Sequence, residues 1–253
     1  MKTDATVSDY PRRFGGISRL YGETQAERLR HAHVCVVGVG GVGSWAAEAL
    51  ARSGVGSLTL IDPDNIAVSN TNRQLHALTP DFGLAKTTAL HRRILDIQPG
   101  CTVREIEDFV TEDNLPEYFD RPFDFVIDAV DQLRVKAAMA AYFVGRKQAF
   151  VVSGGAGGQR HPQFIREADL SQTTHDPLLS NLRYTLRRRY GFPRNGKMAV
   201  RCVYSTEQAV LPPACDHTAP QGLSCAGYGA SMLVTASFGL HCAHAAVEHI
   251  IAR

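Results

Sequence analysis

Through about the first 150 residues, short apolar runs alternate with stretches whose apolar positions recur at helical spacing. Val34–Val37 is a run of strand length that passes into Gly38, and Val42–Ser53 after it reads as a helix. Ser57–Ile61 predicts a second strand, and Leu84–Asp96 a helix with Leu84, Leu90, Ile94 and Leu95 on one side. Strands follow at Thr102–Ile106 and Phe125–Ile127, then a helix at Val135–Val144 and a strand at Ala149–Ser153. Alternating strands and helices predict an α/β fold built on a doubly wound, mainly parallel sheet. Right-handed crossovers bring the strand C-termini, and with them a ligand site, to one edge. The second half is less regular. Gly154–Gly158 reads as a flexible turn, Leu178–Tyr190 as a helix and Ala199–Tyr204 as a strand; Thr206–Ser224, with Pro212, Pro213 and Pro220, reads as a loop. No linker or internal repeat interrupts the pattern, which predicts one domain over residues 1–253 with a decorated C-terminal half.

Residues 226–253 are apolar and rich in Ala, Val and Gly, yet carry His241, His244, Glu248 and His249. A spanning helix needs about 20 apolar residues, and ionisable groups inside it are costly. The segment therefore reads as a buried core helix and stable membrane insertion is not expected; peripheral membrane contact through this helix is the alternative.

Composition narrows the class. Of 253 residues 44% are hydrophobic and 21% charged, which describes an ordinary globular chain, and a net charge of +2 means that a polyanion would have to bind a local patch. The six cysteines (35, 101, 202, 215, 225 and 242) contain no C-x-x-C pair, which argues against a disulfide framework and a structural zinc site, and for a reducing, cytoplasmic compartment. The polar, acidic first ten residues do not resemble a signal peptide.

The chemistry begins at GVGGVG, residues 38–43, between a strand and a helix. Gly38, Gly40, Gly41 and Gly43 permit a tight turn and close backbone approach to a phosphate, which the helix N-terminus then favours. Asp62, at the end of the second strand, stands where an acid accepts ribose hydroxyls. This is a nucleotide site, with the nucleotide-binding half at about 30–155 and the substrate-binding half at about 156–253. Residues downstream decide which nucleotide. Asp64, Asn70, Arg73 and Gln74 precede Lys86 on the next helix. Hydride transfer from NAD needs no such polar and cationic cluster, whereas an enzyme acting on ATP does, because these donors stabilise charge on the phosphorus under attack. In Asp128-Ala-Val-Asp131, Asp131 just past the strand is placed to hold magnesium against phosphates, while Asp128 can instead satisfy local backbone donors.

GVGGVG at 38–43, DPDNIAVSNTNRQ at 62–74, Lys86 and DAVD at 128–131 occur in an order that resembles the family which adenylates ubiquitin and the small sulfur-carrier proteins. The resemblance implies a Rossmann-like fold, use of ATP and magnesium, a homodimer, and an acyl adenylate formed with release of pyrophosphate. It implies Asp62 on the ribose, Asn70, Arg73 and Lys86 on the phosphates, and Asp131 on magnesium. RRFGGISRLYG at 12–22, SGGAGGQ at 153–159, DPLL at 176–179 and CVYSTE at 202–207 narrow it to the bacterial branch that cyclises N6-threonylcarbamoyladenosine at position 37 of tRNA. Carrier-activating members often hold zinc with two C-x-x-C pairs, absent here, which favours the tRNA branch and leaves no zinc expected. The arginine that the family donates across its dimer has no aligned counterpart: Gly16 stands there, Arg19 one helical turn on is the substitute, and Arg13 comes second.

Between residues 183 and 201 stand Arg183, Arg187, Arg188, Arg189, Arg194, Lys197 and Arg201 with no acid, and Tyr184, Tyr190 and Phe192 are interleaved. Such a patch suits a phosphate backbone, and its aromatics suit splayed loop bases; a solvated helix face is the plain alternative. Cys225 is either a reactive thiol, as in relatives that pass on acyl groups or sulfur, or an inert buried one. His161 and His217 have no metal-ligand partner at useful spacing. Competing readings are adenylation of a sulfur carrier's C-terminus, with a sulfur-transfer protein as partner, an NAD-dependent oxidoreductase, and a nucleotide-binding scaffold without turnover.

Overall fold

The computed structural model of the chain describes residues 9–210 and 228–253. Helices α1 (Tyr10–Tyr21) and α2 (Glu23–His31) lead into a βα alternation: β1 (His33–Val37), α3 (Gly43–Arg52), β2 (Ser57–Ile61), α4 (Lys86–Ile97), β3 (Thr102–Ile106), the single turn α5 (Leu115–Tyr118), β4 (Phe125–Asp128), α6 (Leu133–Arg146) and β5 (Phe150–Ser153). Then come β6 (Ile165–Asp169), α7 (Pro177–Arg189), β7 (Arg201–Ser205) and α8 (Met232–Ile251). The strands form one seven-stranded sheet in the order β3-β2-β1-β4-β5-β7-β6, parallel except for β6 against β7. The Rossmann-like doubly wound sheet expected from the alternation is the fold observed.

The order reverses at β1, from which the chain winds to β2 and β3 on one side and to β4, β5 and β7 on the other. A ligand site belongs at that switch, above the strand C-termini. The central strands are buried on both faces, as a parallel sheet requires. On one face Val34, Val36, Leu58, Leu60, Phe125 and Ile127 pack with Ala46, Ala47 and Leu50 of α3 and with Phe238, Cys242 and Ala246 of α8. On the other, Cys35, Val37, Val126 and Val152 pack with Met139 and Phe143 of α6 and Leu179, Leu182 and Leu186 of α7. The apolar C-terminal segment is thus core, and among the described residues no helix is long and apolar enough to cross a membrane.

Boundaries shift for local reasons. The strand expected from Ala199 starts at Arg201, because Ala199 has φ 57, a left-handed conformation that cannot join a ladder. The helix expected from Leu84 starts at Lys86, because Ala85 is extended and bridges to Asn65. β6 was not expected from its sequence, IREAD, where two exposed charges interrupt the apolar pattern; its partner β7 sets its conformation. Of the loop expected at 206–224, residues 206–210 carry neither helix nor strand and the remainder lies outside the described residues.

Candidate active site

β1 runs out at Val37, and Gly38 turns with φ 81. A Cβ on Gly38 would lie 3.0 Å from the backbone of Ala129 and Val130, so the loop is pressed against the end of β4. At Gly43, where α3 begins, a Cβ would lie 1.9 Å from the carbonyl oxygen of Gly38. Only glycine closes this turn. The loop into α3, as far as its N-cap Val42, borders a pocket of about 510 Å³, at the switch point of the sheet, lined by Gly38, Gly40, Gly41, Asp62, Asp64, Asn70, Arg73, Gln74, Lys86 and Asp131. The unpaired N–H groups of a helix start, and the helix dipole, favour an anion there.

Asp62 ties two loops together. Its Oδ2 accepts from the Val39 N–H at 2.8 Å and its Oδ1 from the Asp64 N–H at 3.0 Å. Burial pushes its carboxyl up from the usual range, and Lys86 opposes that. Lys86 is itself buried at the start of α4, with Nζ 2.7 Å from Asp64 Oδ2 and 3.6 Å from Asp62 Oδ1. Asp62 is buried and Asp64 largely exposed, so the outer of the two contacts is the one a phosphate can displace. Arg73 lies across the glycine loop: its Cγ is 3.3 Å from where a Gly41 Cβ would stand, and its guanidinium donates to Ser69 O and Asn72 Oδ1, both at 2.9 Å. Trp45 of α3 fixes the Arg73 carbonyl at 2.9 Å. Asn70 is buried and caps its own turn, Oδ1 accepting from the Ala67 N–H at 3.0 Å. Gln74 is buried beside Gly40 with its Oε1 unpartnered.

The two carboxylates after β4 separate cleanly. Asp131 is exposed, lines the pocket and belongs to no ion pair among the described residues. Asp128 is fully buried, and its Oδ1 accepts from the Val130 N–H at 3.1 Å and from Lys136 Nζ at 2.9 Å. Sequence reading foresaw the backbone donor but missed Lys136, a buried cation within the apolar stretch of α6; a lysine among Val135, Ala137, Ala138 and Met139 was the available signal. It also missed the far wall, Asp108–Val110, Gly157, Tyr228–Ala230 and Thr235, whose polypeptide is distant in sequence. That wall is tied to the nucleotide loops: Asn72 Nδ2 donates to Ala230 O at 2.8 Å, and the Met232 N–H to Asn72 O at 3.1 Å.

The expected basic patch is divided. Arg183 is spent on the loop before α7, donating to Leu170 O, Thr173 O and Thr173 Oγ1, and Arg187 closes the turn after α7 through Pro193 O and Arg194 O. Arg188, Arg189, Arg194 and Lys197 are exposed, with Arg188 5.9 Å over the Tyr184 ring and Arg189 5.8 Å over that of Tyr190. Arg19 is exposed and lines no part of this chain's own pocket, while Arg13 caps α4 through Asp96 O and Ile97 O. His161 stands beside Glu207, outside the pocket; Cys225 and His217 lie outside the described residues. The four described cysteines are buried and, by burial, their thiols are pushed up, so none is a nucleophile.

The chain is similar over nearly its whole length to known proteins. The tRNA threonylcarbamoyladenosine dehydratase of Escherichia coli is 47% identical over 259 residues, covering 98% of this chain and 97% of that protein. The Haemophilus influenzae protein of the same name is 43% identical over 251 residues, covering 98% and 96%. The crystal structure of the Escherichia coli dehydratase in complex with ATP superposes with a TM-score of 0.89 at 45% identity, covering 97% of this chain and 96% of that one. Residues 13–250 match the ThiF family, and the chain belongs to it.

Proposed function

We propose that this chain is the dehydratase of N6-threonylcarbamoyladenosine in tRNA, driven by ATP. The observation that carries the reading is the union of two parts in one pocket. A glycine turn with Lys86 and Arg73 suits a triphosphate, and a wall from the C-terminal half, the half that bears α7, closes the other side. Likeness to the dehydratases over nearly the whole of both chains supports it.

The chemistry follows from the donors present. The glycine turn and the α3 N-terminus hold phosphate oxygens, and Asp62 accepts from the ribose. A threonine carboxylate oxygen of the modified nucleoside attacks the α-phosphorus, and the bond to pyrophosphate breaks. Arg73 and Lys86, with Asn70 and Gln74 beside them, stabilise the charge that builds on the phosphoryl oxygens. A nucleophilic atom of the nucleoside's own carbamoyl group then attacks the activated carbonyl. AMP leaves, and the net change is loss of one water. The capture is intramolecular, so proximity supplies much of what an enzyme nucleophile otherwise would, in keeping with the burial of the four cysteines among the described residues. Magnesium suits Asp131, an exposed carboxylate at the pocket wall offering a hard oxygen ligand. When bound it neutralises phosphate charge. Arg188, Arg189, Arg194 and Lys197 contact the tRNA backbone. The chain acts in the cytoplasm as a homodimer, with Arg19 reaching the partner's pocket and the C-terminal half as the substrate-binding part.

The test is pyrophosphate release from ATP and magnesium in the presence of tRNA with or without the threonylcarbamoyl group. Release is expected only with the modified tRNA. Equal release with both, or with neither, would overturn the reading.

A further inference from the structure

Lys136 is an expensive residue. It is fully buried, at the second turn of α6, in a layer otherwise made of Met139, Phe143 and Val152. Isolated charges are not tolerated there, so a buried ammonium has to be compensated by carboxylates. Its Nζ lies 2.9 Å from Asp128 Oδ1 and 3.4 Å from the Asp128 carbonyl oxygen. Burial pushes up the carboxyl of Asp176, which is 5% exposed, and its backbone donors, with Lys136 after them, oppose that.

Both carboxylates are engaged at the ligand edge. Asp128 accepts from the Val130 N–H at 3.1 Å, which fixes the turn that carries Asp131. The backbone of that turn is what Gly38 packs against, at 3.0 Å from its Cβ position. Asp176 caps α7 by accepting from the Leu179 N–H at 3.0 Å, and its other oxygen accepts from the Gly155 N–H at 2.9 Å. One cation under the sheet edge therefore holds the turn on the nucleotide side, through Asp128.

We infer that Lys136 is a positioning residue: through Asp128 it sets the Ala129–Asp131 turn against the glycine loop, and so places Asp131 for catalysis. This rests on the assignment of Asp131 to magnesium given above. A hydrophobic pair of similar size would fill the space at no loss of stability. What such a pair cannot do is accept from the Val130 N–H and hold the turn.

The experiment compares the wild-type chain with the double variant Asp128→Leu/Lys136→Met, a hydrophobic pair that leaves no buried unpaired charge and no acceptor for the Val130 N–H, and with Lys136→Met alone, which leaves Asp128 unpaired. The single variant is expected to melt well below wild type, because Asp128 is left uncompensated. The double variant is expected to melt near wild type and to bind ATP without magnesium within about threefold of it, a small change for a rim of unaltered contacts. Its kcat with modified tRNA is expected to fall by about 10²-fold, as a displacement near 1 Å costs. The gain in ATP affinity on adding magnesium is expected to shrink at least in part with it. A folded double variant with wild-type kcat and wild-type magnesium gain would overturn the inference. A wild-type chain that shows the magnesium gain without turning over modified tRNA would sink the dehydratase reading, and the magnesium gain of the double variant would still decide the positioning role. A wild-type chain whose ATP affinity ignores magnesium would overturn both Asp131's assignment and this inference.

Discussion

Replacing Gly43 by alanine tests the glycine turn most sharply. The added Cβ would stand 1.9 Å from the Gly38 carbonyl oxygen, 3.0 Å from its carbonyl carbon and 3.2 Å from Val36 Cγ1. Real Cβ contacts begin near 3.0 Å, so the loop must open by about 1.1 Å. The obstacle is backbone, which has no rotamer to escape through. Gly38 cannot retreat, because its own Cβ position is already 3.0 Å from the Ala129 and Val130 backbone. Overpacking a well-packed site costs about 1–3 kcal/mol, and Gly43→Ala belongs at the upper end. A phosphate cradle displaced by 1 Å loses about 10²-fold in rate. Gly41→Ala is the control: its Cβ would meet the Arg73 stem at 3.3 Å and Thr235 Cβ at 3.5 Å, side-chain contacts that can give. ATP affinity by calorimetry and pyrophosphate release by a coupled assay would be measured on both, with thermal melting beside them. Gly43→Ala is expected to lose both readouts while Gly41→Ala keeps ATP binding within about tenfold, since flexible contacts relax. Wild-type ATP affinity in Gly43→Ala would refute the close approach on which the turn depends.

Lys86→Met leaves buried Asp62 without its cation and should cost about 3–5 kcal/mol, read as a drop in urea midpoint, and should abolish turnover; Lys86→Met at wild-type stability would show that Asp62 needs no counter-charge. His76 is 3% exposed with both ring nitrogens unpartnered, and burial, with Lys86 adding to it, lowers its pKa to about 4. The unfolded chain therefore binds a proton that the folded chain refuses between the ordinary 6.5 and about 4, so stability falls as pH drops through that window, by about 3 kcal/mol in all. His76→Leu should flatten the urea midpoint across pH 4 to 6.5, and an unchanged slope would place the acid lability elsewhere. Neutralising Arg188 and Arg189 should reduce the slope of log affinity for tRNA against log salt by roughly one per residue, whereas Arg183→Ala should lower melting temperature through the Leu170 and Thr173 carbonyls; a slope change of the same size in both would mean that the divided patch is wrong.

The nucleotide half was legible because each of its demands is local. A glycine turn, an acid at the next strand end and a lysine at the next helix start are fixed by spacing alone, and β2 and β3 have the bounds that their apolar pattern gives. What sequence could not give was what lies across the fold. Lys136 finds Asp128 only because α6 returns under β4, and Tyr228 and Thr235 reach the pocket only because α8 packs on α3. Arg183 and Arg187 looked identical to Arg188 and Arg189 on a run of like charges. The carbonyls that take up the first two come from the loops before and after α7. β6 was illegible for a similar reason, since three charges in a five-residue edge strand carry no period and the partner strand sets its conformation.

The most direct measurement is the mass of the modified nucleoside, recovered from tRNA after incubation with this chain, ATP and magnesium. The expected result is a nucleoside lighter by one water, formed with one AMP each and absent when ATP is withheld. AMP formed with the nucleoside unchanged, or water lost without ATP, would contradict it.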